Sequence, residues 1–253
     1  MIVAPGCAPP EQKATPSGTS HDGAPFAGPS VRAPFIAGSA LVLDGDLNEE
    51  AWKKAAVTTP FVHPRSGAPA KGPVFGSARV FLDESFLYVA FEAKDPSVRG
   101  GFPEGSVDPH LWERDTVEMI LDPDDADNRD YYELQINPQG LVFDSRFDDY
   151  NLPRGGVAGP FGHEDWSSKV ERGVRVRGTV DDPKDRDEGY TVECRVPWGA
   201  FDKARRAPPS AGDVWKANFY VMKDNGGVAW SPILGEGNFH RVQFFGDLVF
   251  ERP

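Results

Sequence analysis

The chain has 253 residues, 39 Asp and Glu against 27 Lys and Arg, a formal net charge of -12, and a 39% hydrophobic content that includes 17 Phe and 6 Trp. This length suits one large all-β domain and the aromatic content can build its core, while the charge opposes binding to nucleic-acid phosphates and to anionic membrane surfaces. No run of about 18 apolar residues occurs, so no segment can cross a bilayer as a helix.

Residues 1–34 are rich in Pro, Gly, Ser, Thr and Ala, the composition of a flexible tether, and the folded domain is expected over 35–253. Within the leader, Ala4-Pro5-Gly6-Cys7-Ala8 resembles the end of a bacterial lipoprotein signal, without the basic start and the apolar stretch of about 7–15 residues such a signal carries. A secreted or cell-envelope protein is expected, with Cys7 either lipidated or incidental. Cys194 alternates with the apolar set Tyr190, Val192 and Val196, so it reads as a buried thiol, and no disulfide to Cys7 is expected.

Leu41–Leu43 reads as a short strand, Asp44-Gly45 as a turn, and the next residues as one helical turn ending on Trp52, a core plug. Ala78–Leu82 and Phe86–Ala93 form a hairpin around Asp83-Glu84-Ser85. In 115–121, period-2 alternation sends Val117, Met119 and Leu121 to one side and Thr116 and Glu118 to the other, with Ile120 interrupting the polar side. In 131–137, Tyr132, Leu134 and Ile136 face inward and Glu133, Gln135 and Asn137 outward. Pro138-Gln139-Gly140 turns the chain back, and 141–146 return with Val142, Asp144 and Arg146 on one side. Further strands are expected at Val174–Val180, Tyr190–Val196, Trp215–Met222 and Leu248–Glu251, with a single helical turn starting at Pro197. Many short strands bounded by turn residues predict an all-β, antiparallel β-sandwich, a two-sheet architecture of immunoglobulin-like or jelly-roll-like kind with short helical turns.

The polar residues on the outward face suit a small, hydroxylated, uncharged ligand. Trp112, at the start of the outermost polar strand, could stack on the apolar C–H face of a sugar ring while strand polar groups reach its hydroxyls. Glu118 and Glu133 share a face, so they could instead be a glycosidase pair, sugar-binding carboxylates or solvated groups. The 122–130 loop, with Asp122, Asp124, Asp127 and Asp130, concentrates oxygens suited to Ca²⁺ but lacks EF-hand spacing, so a solvated acidic turn stays open. The acidic 181–188 loop is a weaker candidate because Lys184 and Arg186 compete. The five His show no metal-ligand spacing, and no phosphate-binding loop, paired-Cys motif or paired-His helix is present.

Several segments together resemble family 9 carbohydrate-binding modules: 44–52 (DGDLNEEAW), 87–90 (LYVA), 112–118 (WERDTVE), 189–193 (GYTVE) followed by 196–198 (VPW), and 245–248 (FGDL). They run in order from about Ala40 to Phe250. The resemblance implies a β-sandwich that holds a terminal sugar between two aromatic walls, with structural Ca²⁺ and no organic cofactor. By motif position Trp112 matches one wall, Glu118 a hydroxyl-binding carboxylate and Asn137 an amide ligand. Gln135 stands where the family can place an Arg, and the second wall falls near Phe239. Trp230 matches a further family Trp, read here as core. The expected function is non-catalytic saccharide or polysaccharide binding through Trp112, Glu118, Gln135, Asn137 and Phe239, with Glu133 and Arg146 as further contributors. Such modules often accompany glycoside hydrolases. The alternatives are a haem-binding sandwich, with Met119, Met222 and His240 as conceivable axial ligands, and a glycoside hydrolase using the paired carboxylates. Oligomeric state is not legible.

Overall fold

A computed structural model describes residues 26–38, 41–123, 129–155 and 159–252. In chain order the elements are β1 (Ser30–Pro34), α1 (Glu50–Lys54), β2 (Ala56–Val57), β3 (Phe75–Leu82), β4 (Phe86–Lys94), β5 (Thr116–Asp122), β6 (Tyr131–Ile136), β7 (Val142–Phe147), β8 (Glu171–Arg177), β9 (Gly189–Pro197), β10 (Val214–Lys223), β11 (Gly226–Ala229) and β12 (Gly246–Glu251). They form the expected two-sheet sandwich. One sheet runs β1-β12-β10-β5-β6-β7, with β11 pairing β10, and the other runs β2-β3-β4-β9-β8. All these pairs are antiparallel except β1 with β12.

Alternation builds the interior. Val117, Met119 and Leu121 of β5, Tyr132, Leu134 and Ile136 of β6, and Tyr190, Val192, Cys194 and Val196 of β9 all enter one core between the sheets, joined by Trp230. Trp52 anchors a second cluster with Phe81 and Tyr88 on the far side of the smaller sheet. Its indole Nε1 donates to Glu193 Oε1 at 2.6 Å, which satisfies a buried polar edge. Glu193 Oε2 accepts the backbone N–H of Gly45 at 2.7 Å, and Gly45 has φ of +85°, so the expected Asp-Gly turn is pinned to β9. The β3–β4 hairpin closes through the Asp83 carboxylate, which accepts the N–H groups of Ser85 and Phe86.

Three expectations need correcting. Leu41–Leu43 is not a strand; it crosses β8 at Gly173, where any Cβ would collide with the Leu43 carbonyl. The strand expected at Val174–Val180 is β8, shifted to Glu171–Arg177, because the left-handed Gly178 (φ +139°) ends the extended run. β1 lies inside the stretch assigned to the tether: Val31 and Ala33 are buried and the strand pairs with β12, a long-range partner that local composition does not disclose.

Candidate functional site

The outer face of β5, β6 and β10 is covered rather than open. Ile120, Tyr131, Phe147, Tyr220, Met222, Val242 and Phe245 form a cluster there, with Trp112, Phe161 and Phe239 packed at its margin. The surrounding loops leave a cavity of about 300 Å³ lined by Trp112, Glu118, Glu133, Gln135, Phe147, Phe161, Met222, Phe239 and His240, with Arg65, Asn151, Arg154, Asn225 and Asn238 around them. That volume lies at the lower end of the usual range for small-molecule sites.

The floor is polar and enclosed. Glu118 pairs across β5–β6 with Gln135, and Glu118, Gln135 and Glu133 are 2%, 1% and 3% exposed. The Gln135 amide Nε2 donates to Glu133 Oε1 at 2.6 Å and to Glu118 Oε2 at 3.3 Å, bridging the two carboxyls. Burial, reinforced by the neighbouring Glu133 charge, holds the Glu118 pKa far above the normal range. Burial pushes Glu133 up to about 7 against the opposing Gln135 hydrogen bond. His240 is pulled down to about 3 by burial and by Arg154, so it is neutral and its 3.5 Å approach to Glu133 Oε2 is not an ion pair. The Asn151 N–H donates to the Tyr131 hydroxyl, which lies 3.0 Å from His240 Nδ1; with the hydroxyl donating there, the imidazole proton sits on Nε2, facing Glu133.

The walls come from loops. Trp112 sits in a 3₁₀ turn, Leu111–Glu113, that Leu111 roots in the interior. His110 stacks on the indole at 4.5 Å, and Phe143 and Phe161 meet it at steep angles, each 5.1 Å away. The β10–β11 turn holds the same segment, because Asn225 N–H donates to the Trp112 carbonyl and Asp224 N–H to that of Arg114. Phe239 packs on Tyr220, whose hydroxyl donates to the Phe239 carbonyl at 2.8 Å. Behind the Trp112 segment, Lys223 Nζ reaches Asp95 and both Asp115 oxygens, two carboxylates almost wholly shielded from solvent.

Trp112, Glu118, Glu133, Gln135 and Phe239 are therefore brought together. Asn137 and Arg146 are not. The Asn137 amide is consumed by its own turn, accepting from the Gln139 and Leu141 N–H groups and donating to Gln139 Oε1. Arg146 stands opposite Tyr132, on the inner face, and bonds Asp148. The outward phase of β7 is Phe143, Ser145 and Phe147, one residue off the expected set. Of the loop carboxylates, Asp124 and Asp127 lie outside the described residues. Asp122 is buried at the end of β5 and Asp130 pairs with Arg146. Among the described residues no group of three or more His, Cys, Asp or Glu is gathered for a metal, and the 122–130 loop expected to hold Ca²⁺ lies partly outside them. The 181–188 loop spends its acids on backbone: Asp181 accepts from Gly100 and Gly101, and Asp187 from Val98 and Thr179.

The chain matches, over residues 43–249, the family described as carbohydrate family 9 binding domain-like. It belongs to that family. The family is one of carbohydrate binding. Three solved structures share the fold. A Bacteroides uniformis protein, named for a proposed carbohydrate-binding role, superposes with a TM-score of 0.67 at 22% identity, covering 89% of this chain and 100% of its own. A Caldicellulosiruptor kristjanssonii family 9 module in complex with cellotriose gives 0.57 at 16% identity over 88% of this chain and 94% of its own. A family 9 module of the same organism in complex with glucose gives 0.55 at 16% over 88% and 97%. No curated protein matches. No helix among the described residues is long and apolar enough to cross a membrane.

The buried carboxyls of this family 9 chain set the sign of its pH dependence. Glu118, Glu133 and Glu193 all have pKa values raised by burial, the latter two to about 7, so the folded chain keeps protons that the unfolded chain has released above about 4.5. The stability Glu133 and Glu193 contribute is fully present below that value and is lost as pH rises through about 7, and the Glu118 contribution has the same sign. Thermal melts are expected to give a higher Tm at pH 5 than at pH 8, and the opposite order would show that these groups ionise freely in the fold.

Proposed function

We propose that the cavity on the outer face of β5, β6 and β10 binds one saccharide unit without transforming it. The observation that carries this is the convergence, in one recess, of two half-buried aromatic side chains, Trp112 and Phe239, with a buried floor of Glu118, Glu133 and Gln135. An aromatic plane buries the C–H face of a pyranose while fixed acceptors take its hydroxyl protons. The cellotriose and glucose complexes of the similar Caldicellulosiruptor kristjanssonii structures support this ligand class. The role is binding: both carboxyls lean on one amide nitrogen on a single floor, rather than facing each other across a bond to be cleaved.

Calorimetry with glucose and short gluco-oligosaccharides tests the proposal. Phe239→Ala is expected to weaken binding about tenfold, since it removes one apolar wall and leaves the floor in place. Equal affinity in that variant would remove Phe239 from the site. The surroundings proposed are the extracellular space or the cell envelope, where polysaccharides occur, and a lipid on Cys7, read from the mass of the native chain, would mark an anchored form.

Met222 and His240 do line one cavity, a pairing not legible in the sequence. They do not favour haem: His240 Nδ1 meets the Tyr131 hydroxyl and its Nε2 faces Glu133, so neither nitrogen is presented to a metal. Met119 lies in the core between the sheets.

A further inference from the structure

The hydrogen-bonding inventory of the floor is lopsided. Its amide donor, Gln135 Nε2, is already spent on Glu133 Oε1 and Glu118 Oε2. Glu118 Oε1 and Gln135 Oε1 have no partner, and both belong to side chains more than nine-tenths buried on directly opposed positions of β5 and β6 that line the cavity. Glu133 Oε2 has only the long His240 contact. Apart from the proton Glu118 retains and the distant His240 N–H, the recess thus ends in acceptors, and a buried acceptor without a donor is costly. Two carboxyls held side by side away from water also oppose each other's ionisation, a conflict that a cation between them relieves.

A neutral hydroxyl brings one proton to this floor, whereas an ammonium brings three donors and a positive charge. We infer that the preferred ligand of this recess is an amino sugar with a free, protonated amine, its ammonium seated among Glu118, Glu133 and Gln135. This rests on the saccharide binding proposed above and names its class. N-acetylation would discharge the nitrogen and leave it a single donor, so the acetylated sugar is discriminated against. The other charged or titratable groups around the floor are Tyr131 of β6, Tyr220 of β10, neutral His240, Glu164, Arg65 and Arg154. Arg65 pairs with Glu236, and Arg154 lies 6.0 Å from the Phe161 ring.

The experiment is calorimetry on the full chain with glucosamine, glucose, N-acetylglucosamine and glucuronate in turn. Glucosamine is expected to bind about tenfold or more tighter than glucose or N-acetylglucosamine at pH 7, the margin of a charge-assisted over a neutral set of hydrogen bonds. Its affinity should fall as pH is lowered to 5, because protons then occupy the floor, and its binding heat should vary with buffer ionisation enthalpy as a proton is released. Glu133→Gln, or Glu118→Gln should the first variant not fold, is expected to bring the ratio of glucosamine to glucose affinity down to about one. Glucosamine and glucose binding within about threefold of each other at pH 7 overturns the inference while saccharide binding stands. Tightest binding of glucuronate overturns it in favour of Arg154 as the selective charge. Binding of none of the four removes both proposals.

Discussion

Trp112→Ala is expected to weaken saccharide binding by about 2–4 kcal/mol, roughly thirty-fold to several hundred-fold, while leaving the sandwich folded. The indole is half-buried at the margin of the outer-face cluster, and its neighbour Leu111 supplies the contact that roots the turn in the interior. Its loss removes the larger of the two apolar walls of the recess without touching the core between the sheets. Calorimetry gives the affinity, and circular dichroism with a thermal melt shows whether the sheets persist. Trp112→Phe should fall between the two, because a smaller ring still covers part of a pyranose face. Unchanged affinity in the alanine variant, with the fold intact, would move the site away from this cavity.

The largest loss of stability is expected from Lys223→Ala, about 3–5 kcal/mol in urea unfolding. Lys223 Nζ contacts Asp95 Oδ2 at 2.7 Å, both Asp115 oxygens at 3.0 Å and the Ser97 carbonyl at 2.7 Å. Asp95 and Asp115 are 1% and 0% exposed, so removing the ammonium strands two buried carboxylates, and the cost is their desolvation rather than the worth of the bonds alone. Adding Asp95→Asn and Asp115→Asn to Lys223→Ala should recover a substantial part of the loss. A change below about 1 kcal/mol in the single variant would mean that water reaches the pair. Asp115 immediately precedes β5, three residues after Trp112, so a weakened ion cluster should also loosen the aromatic wall and lower sugar affinity.

The legible parts of this protein are those in which a residue's neighbours in sequence determine its environment. Alternation placed Val117, Met119, Leu121, Tyr132, Leu134 and Ile136 in the core and put Glu118, Glu133 and Gln135 on the other face, because a pleated strand allows no other assignment once one side is buried. Alternation does not show that this outer face is roofed, since the roof is made by loops with no periodicity, and so the depth of burial of the three floor residues is not legible in it. The phase of β7 is not legible because its first residues, Val142 and Phe143, are both apolar and either could face inward; the observed phase turns Phe147 toward the cavity and Arg146 away from it. Asn137 follows the outward phase correctly but lies at the strand end, where an Asn side chain folds onto its own turn. The remaining lining residues, Arg65, Asn151, Arg154, Phe161, Asn225, Asn238 and His240, come from segments far apart in the chain, and Met222 sits on a strand whose outward face carried no motif. Asn238 and His240 flank Phe239, so the wall position could have drawn attention to both.

The parallel registry of β1 and β12 sets Ser30 beside Asp247 and Pro34 beside Glu251. Tension applied to the polypeptide before Ser30 and after Glu251 would therefore act along the two strands in opposite directions, loading their rungs together in shear instead of peeling them one at a time. This edge lies four strands across the sheet from β6, about 20 Å at ordinary strand spacing, but β12 pairs directly with β10, so such a load would reach the near side of the recess before its floor on β5 and β6.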